Sequence, residues 1–129
     1  MGKFLNESPP IQQVFGKIFM TLEDLNYISD KKQKILIPKG FRTDGYSKPN
    51  FTHVIVGHNF ADDIRACILH DYLCKLHGYY EGNRLIKLSF KEVNDLFYEA
   101  MLSVGIRKTK AKLMYISVFF NFGYFLKKK

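Results

Sequence analysis

The stretch SFKEVNDLFYEAMLSVG, residues 89–105, predicts an amphipathic α-helix with both of its ends marked. Ser89 and Glu92 fit the capping box S-x-x-E, in which each side chain accepts a hydrogen bond from the other residue's backbone N–H. Gly105 is a typical residue for the position where a helix ends. Apolar residues recur along this helix at spacings of three and four, which places them on one face: Phe90, Val93, Phe97, Ala100, Met101 and Val104.

A second helix is predicted upstream, from about Ala61 to His77. Asp62 and Asp63 fall in its first turn, where carboxylates interact favourably with the helix dipole. Gly78 is a plausible residue to end it. Its apolar face is formed by Ile64, Cys67, Ile68 and Leu69 and is continued by Tyr72, Leu73 and Leu76.

A third helix is predicted at residues 109–125, and its apolar part invites a test for membrane insertion. The run LMYISVFFNFGYFL is 14 residues long, and a helix that spans a membrane needs about 20 apolar residues. We therefore expect no transmembrane span. Phe119, Phe122 and Phe125 are expected to pack against the helix at residues 89–105 or against a partner chain.

The chain before these helices carries β signals. Residues 25–28 and 33–37 are predicted to pair as a hairpin around a polar turn, and Pro38 closes the second strand. Residues 1–10 end in two prolines and are expected to be a flexible arm. The sequence thus predicts an α+β fold, with an N-terminal β-hairpin region followed by three packed helices, in a single domain over residues 11–129.

The loop GFRTDGYSKPN, residues 40–50, is dense in turn-forming residues. Asp and Ser side chains commonly bond to backbone amides in turns, and this is the simplest role for Asp44 and Ser47. A catalytic serine is not indicated, because the nucleophile-elbow pattern G-x-S-x-G is absent.

The adjacent pair His70-Asp71, in the helix predicted at residues 61–77, is the strongest candidate for a catalytic or metal-binding site. An imidazole beside a carboxylate can bind a divalent metal or activate a water molecule, although a surface His and a loop-capping Asp show the same pattern. We predict that Asp44 approaches His70 or Asp71, directly or through a metal, with Asp95 close by and Ser47 holding the loop. In the catalytic version all five residues form the site, and Asp44, His70 and Asp71 bind zinc or calcium.

The order of these motifs resembles a family of small proteins of unknown function encoded mainly in tailed bacteriophages and prophages. The resemblance spans about residues 35–123 and rests on G-F-x-T-D-x-x-S-x-P, H-D-x-L, an acidic residue before an aromatic and A-M, and a closing Met-Tyr helix. The matching residues are Gly40, Phe41, Thr43, Asp44, Ser47, Pro49, His70, Asp71, Leu73, Asp95, Phe97, Ala100, Met101, Met114, Tyr115, Val118 and Gly123. Lys48 and Cys74 depart from the pattern. The resemblance implies a phage origin and a set of residues, and no particular reaction.

The charge and the cysteine content of the chain limit its possible partners and its cellular compartment. The net charge of +8 and the pI of about 9.5 allow attraction to nucleic acid, but no nucleic-acid-binding motif is present.

Cys67 and Cys74 are seven residues apart on one predicted helix, hence about 10 Å apart, which is too far for a disulfide. Reduced, buried thiols and a reducing compartment are expected. MGKFLNESPP has no apolar segment typical of a signal peptide, so the host cytoplasm or the virion is the expected location.

Three functional hypotheses are compatible with these residues. The first is a structural or assembly component of the virion or tail, in which the polar residues lock the loop onto the helices and the partners are other virion proteins. The second is a metal-dependent, hydrolase-like enzyme that uses Asp44, His70, Asp71 and Asp95. The third is an accessory protein directed at the host. The sequence leaves open whether there is any catalysis.

Overall fold

The structure, a computed structural model, describes the backbone of residues 2–5, 11–15, 18–43 and 60–119. Eight strands and three helices lie within these ranges. The strands are β1 (Lys3–Phe4), β2 (Ile11–Phe15), β3 (Ile18–Thr21), β4 (Leu25–Ile28), β5 (Lys34–Ile37), β6 (Arg42–Thr43), β7 (Gly78–Glu81) and β8 (Arg84–Lys87). The helices are α1 (Phe60–Leu76), α2 (Phe90–Ser103) and α3 (Lys108–Phe119). The predicted α+β class, with strands before the helices, is confirmed.

The predicted hairpin is present as β4 and β5, which pair antiparallel with Leu25 opposite Ile37. Its side chains alternate between the two faces, as expected for strands with one buried face. Leu25, Tyr27, Ile35 and Ile37 are buried on the inner face. The hairpin therefore supplies one apolar layer of the core.

Strand β1 lies within the segment that the sequence predicts to be a flexible arm. Lys3 pairs with Ile28 and Phe4 pairs with Tyr27, so β1 forms the third strand of the β4–β5 sheet. At these two residues the arm is replaced by strand, because Phe4 covers the ring of Tyr27 at a centroid distance of 4.7 Å. Strands β2, β3 and β6 form a separate three-stranded sheet.

Helix α1 is the centre of the helical layer. From Ala66 to Cys74 every residue except His70 is buried, which is typical of a helix that is covered on all sides. Helix α2 packs against α1 along one face and against α3 along another, and β7 also contacts α1. Both cysteines of α1 are reduced thiols and are buried, as the sequence predicts.

A hairpin that the sequence does not predict lies between the first two helices. Strands β7 and β8 pair antiparallel from Gly78 opposite Lys87 to Glu81 opposite Arg84. His77, with φ of 54°, takes the left-handed conformation after α1 that was expected of a glycine. Gly78 is required for another reason, since a Cβ there would overlap the backbone carbonyl of Ile86.

The C-terminal helix α3 begins at Lys108 and is described to Phe119. It packs on α2 through the buried side chains of Ala111 and Met114. The predicted extension to residue 125, and the predicted packing of Phe119, Phe122 and Phe125, lie outside the residues whose side chains are described. None of the described helices has the length and hydropathy that crossing a membrane requires.

The capping box at the start of α2 is present as predicted. The Ser89 hydroxyl accepts from the backbone N–H of Glu92 at 3.1 Å, and Glu92 accepts from the backbone N–H of Ser89 at 2.9 Å. These bonds satisfy donors that every helix start leaves without intrahelical partners. They also hold the pKa of Glu92 below its usual value.

Replacing Ser89 with alanine should lower the free energy of unfolding by about 1 kcal/mol, because the helix start loses its side-chain acceptor. Urea unfolding followed by circular dichroism measures the change. Ser89→Asp is the matched control, since aspartate also caps helices, and it should stay close to the wild type. Equal stability of Ser89→Ala and the wild type would contradict the assigned helix start.

Candidate functional site

His70 forms a polar junction between α1 and α2. Its Nε2 lies 2.9 Å from Oδ1 of Asn94, and its ring packs on Phe97 at a centroid distance of 4.4 Å. Asn94 is fully buried, with an exposed fraction of 0%. With the amide oxygen facing the ring, the neutral imidazole carries its proton on Nε2. The candidate catalytic histidine thus donates a hydrogen bond across a helix interface.

Cys74 lies one helical turn after His70 and completes a set of Cys, His and Asn, the residue types of one class of cysteine-protease site. Its Sγ is 3.7 Å from Nε2 and 3.9 Å from Nδ1 of His70. A sulfur atom nearly equidistant from both ring nitrogens cannot lie along the hydrogen-bonding direction of either. Cys74 is also only 1% exposed. The thiol therefore packs against the imidazole and is not placed for attack on a substrate.

Asp71, the other half of the H-D motif, is buried with an exposed fraction of 6%. Successive residues of a helix point about 100° apart, so His70 and Asp71 do not face α2 together. Asp44 and Ser47, the predicted partners from the loop, lie outside the described residues. Their approach to His70 or Asp71 stays a prediction.

Asp95 belongs to a different junction from His70. It accepts a hydrogen bond from the Tyr115 hydroxyl of α3 at 2.5 Å and one from Lys91 at 2.7 Å. The α2 residue that meets His70 is its neighbour, Asn94, which the sequence does not single out. A signal was available, because Asn94 falls in the apolar stripe between Val93 and Phe97. A polar residue in such a stripe indicates a buried hydrogen bond.

The contact between Asp95 and Tyr115 shifts the pKa of both residues. Burial would raise the pKa of Asp95, but the hydrogen bonds from Lys91 and Tyr115 hold that pKa below its usual value. Burial, followed by the bond to Asp95, raises the pKa of Tyr115 to about 12. The tyrosine therefore remains a hydrogen-bond donor throughout the neutral range.

A third polar contact joins the β4–β5 hairpin to α2. The Tyr27 hydroxyl donates a short hydrogen bond to Oε1 of Glu99, and the backbone N–H of Asp30 donates to the same oxygen at 3.2 Å. Burial raises the pKa of Glu99 despite these donors, and burial together with Glu99 raises the pKa of Tyr27. Gly2 lies against this pair, and a Cβ there would overlap both side chains.

Two adjoining cavities open beside these last two junctions, and Asp30, Asp95 and Glu99 line both of them. The larger has a volume of about 610 Å³ and lies between α2, α3 and the turn after β4. The smaller, of about 180 Å³, extends toward Lys31 and Glu92. Neither cavity is lined by His70 or Asp71.

The described residues contain no group of three or more His, Cys, Asp or Glu side chains placed to hold a metal ion. The predicted zinc or calcium site includes Asp44, which is not among them. The structure thus brings His70 together with Asn94, Phe97 and Cys74, and Asp95 together with Tyr115 and Lys91. His70 and Asp95 thus have different hydrogen-bond partners, and the site that would join them with Asp44 and Asp71 stays a prediction.

The model of one protein family matches residues 19–118, and that family is described as "Protein of unknown function (DUF1353)". The chain belongs to this family. The match covers β3 to α3 and includes both helix junctions, so the contacts of His70 and Asp95 lie in the part of this DUF1353 chain that the family defines.

Two curated proteins of Sinorhizobium fredii are similar to this DUF1353 chain. "Uncharacterized protein y4iH" is 35% identical over 82 residues, which is 63% of this chain and 30% of that protein. "Uncharacterized protein y4jT" is 26% identical over 118 residues, which is 91% of this chain and 31% of that protein. The chain therefore spans less than a third of the length of either relative. No solved structure matches it.

The His70–Asn94 bond should behave as a coupled, stabilising pair. Asn94→Ala leaves the His70 donor in a largely buried place without its acceptor, and we expect a loss of about 1–3 kcal/mol in the free energy of unfolding. A double-mutant cycle with His70→Ala should show a coupling of about 0.5–3 kcal/mol. Additive effects of the two substitutions would mean that the side chains do not interact.

Tyr115 should titrate near pH 12 rather than near 10, because its hydroxyl is partly buried and donates to a carboxylate. Replacing Asp95 with asparagine removes the negative charge, so the pKa of Tyr115 should fall toward the ordinary value. Carbon-13 NMR of labelled tyrosine measures both titrations. The phenol of Tyr72 on α1, whose pKa burial raises, provides an internal comparison that Asp95→Asn should leave unchanged. An identical Tyr115 titration in the two proteins would exclude the contact.

Proposed function

We propose that this DUF1353 chain is a non-catalytic structural or assembly component of a bacteriophage or prophage virion or tail. The observation that carries the proposal is the hydrogen bond between the half-buried His70 and the fully buried Asn94. It assigns the strongest candidate for acid–base chemistry a role in joining two helices.

The surroundings of His70 support a structural role in three ways. A general base needs a ring nitrogen that can reach a substrate proton, whereas Nε2 of His70 faces Asn94. The ring lies against Phe97 on one helix and the thiol of Cys74 on the other. Asp95, which the catalytic hypothesis requires nearby, is engaged with α3 through Tyr115.

The phage origin rests on the order of motifs in the sequence. G-F-x-T-D-x-x-S-x-P is followed by H-D-x-L and then by an acidic residue before an aromatic and A-M, as in the phage family that the chain resembles. Small basic proteins without enzymatic activity are common in phage particles, and the net charge of +8 suits contact with acidic partner proteins or packaged nucleic acid.

Purified particles provide the first test of this role. Quantitative mass spectrometry of the phage, or induced prophage, that encodes the chain should find it in fixed stoichiometry in the particle or in an assembly intermediate. A chain that is absent from both, while its deletion still blocks infection, would favour the accessory or enzymatic hypothesis and overturn the proposal.

Complementation of a deletion separates the structural from the catalytic role of His70. We expect His70→Gln to restore particle formation to the extent that it restores thermal stability, since glutamine can hydrogen-bond to Asn94 but cannot exchange a proton near neutral pH. Glu81→Gln, at an exposed position of β7, is the control for handling and expression. A His70→Gln protein with unchanged melting temperature and no complementation would show that the imidazole has a chemical role.

A further inference from the structure

We propose that the larger cavity between α2, α3 and the turn after β4 binds an arginine side chain from a basic segment of a partner protein. The inference goes beyond the proposed function, because this site is separate from the His70–Asn94 junction. It also holds whether or not the chain is a virion component.

The volume and the lining of the cavity are suitable for the end of a long side chain. Its volume of about 610 Å³ lies within the usual range for ligand sites, about 300–1,000 Å³. Tyr98 and Leu102 of α2 and Tyr115 of α3 form its walls, and the two tyrosine rings meet edge to face at a centroid distance of 5.5 Å. A ligand in this space would therefore contact aromatic faces and an aliphatic side chain.

The charged residues that line the cavity favour a positively charged ligand. Asp30, Asp95 and Glu99 line it, and Lys112 is the one basic residue among its described lining residues. The adjoining smaller cavity adds the carboxylate of Glu92 and the ammonium group of Lys31. Carboxylates thus outnumber cations here, although the whole chain carries a net charge of +8.

Other contacts hold two of these carboxylates in place before any ligand arrives. The hydroxyl of Tyr115 fixes Asp95, and the hydroxyl of Tyr27 with the backbone N–H of Asp30 fixes Oε1 of Glu99. Groups that are already ordered lose little conformational entropy when a ligand binds. Asp95 also pairs with Lys91, but 72% of the Lys91 side chain is exposed, and such surface pairs contribute only about 0–1 kcal/mol. A ligand can therefore displace Lys91 at small cost.

A guanidinium group fits this combination better than an ammonium group does. It is planar, stacks on aromatic faces, and presents a fork of N–H donors that matches a carboxylate. Tyr98 and Tyr115 offer the rings, and Asp95 and Glu99 offer the acceptors. A ligand carboxylate or phosphate would instead meet three carboxylates of like charge.

The global charge of the protein makes the test specific. A chain with a net charge of +8 repels a cationic peptide at long range, so saturable binding of such a peptide requires a local acidic site. The probe is a fluorescein-labelled tetra-arginine peptide, and fluorescence anisotropy measures its dissociation constant with the full chain. Tetra-glutamate with the same label and a short duplex DNA are the comparison ligands.

Two exposed lysines of α3 supply a matched pair of variants. Lys112 lines the cavity, whereas Lys108, at the start of the same helix, does not. Because Lys112→Glu replaces the cation of the cavity with a carboxylate, we expect tetra-arginine to bind about fivefold or more tightly. Lys108→Glu makes the same change in net charge one helical turn away, and because Lys108 does not line the cavity it should tighten binding clearly less than Lys112→Glu does.

Two variants that should weaken binding test the hydrogen-bond acceptor, Asp95, and the aromatic wall, Tyr98, separately. Asp95→Asn should weaken binding about tenfold, which corresponds to about 1.4 kcal/mol, and Tyr98→Ala should weaken it through loss of the aromatic surface. Glu81→Gln, with the same charge change as Asp95→Asn on an exposed strand, should bind as the wild type does. Thermal melts establish that each variant is folded before its affinity is compared.

Three results would overturn the proposal. The first is the absence of saturable binding of tetra-arginine at millimolar protein. The second is an equal change in affinity for Lys112→Glu and Lys108→Glu, which would indicate diffuse electrostatics. The third is binding of tetra-arginine that Asp95→Asn and Tyr98→Ala both leave unchanged, which would place the peptide outside the cavity. None of these results depends on whether the chain is found in phage particles.

Discussion

The rest of the structure depends on one constraint, namely that the central part of α1, from Ala66 to Cys74, is buried at every position except His70 and must be covered on every side. One face of α1 is taken by α2, and β7 contacts it elsewhere. The single half-buried position in its central part, His70, is where the helix interface becomes polar. There Nε2 of the imidazole lies 2.9 Å from Oδ1 of Asn94, so these two polar atoms are hydrogen-bond partners across the helix interface.

Helix α2 has two polar junctions because adjacent residues of a helix point in different directions. Asn94 faces α1 and bonds to His70, and Asp95 faces α3 and bonds to Tyr115. Glu99, further along, anchors the β4–β5 hairpin through Tyr27. A single helix of 14 residues thus contacts each of three neighbours through one polar side chain, while its buried apolar residues supply the remaining packing.

Local sequence signals predicted the elements that are governed by local physics. The capping box of Ser89 and Glu92, and the alternation of β4 and β5, require only near neighbours and were recognisable from the sequence. The β7–β8 hairpin was missed although a local signal was present, because the two residues between its strands, Gly82 and Asn83, are a pair typical of tight hairpin turns. The site was predicted only in part. His70 was identified from its motif, but its partner Asn94 depends on how α1 and α2 pack, which sequence spacing does not reveal.

The bond between Tyr27 and Glu99 also sets the order in which the protein can be completed during synthesis. The β4–β5 hairpin is local and can form as soon as it leaves the ribosome, but the acceptor of its buried hydroxyl lies 72 residues later. Until α2 has been synthesised, Tyr27 lacks that acceptor, and β1 pairs with a hairpin that has no helix behind it. We therefore expect the sheet of β1, β4 and β5 to reach its final packing only after α2 has been synthesised.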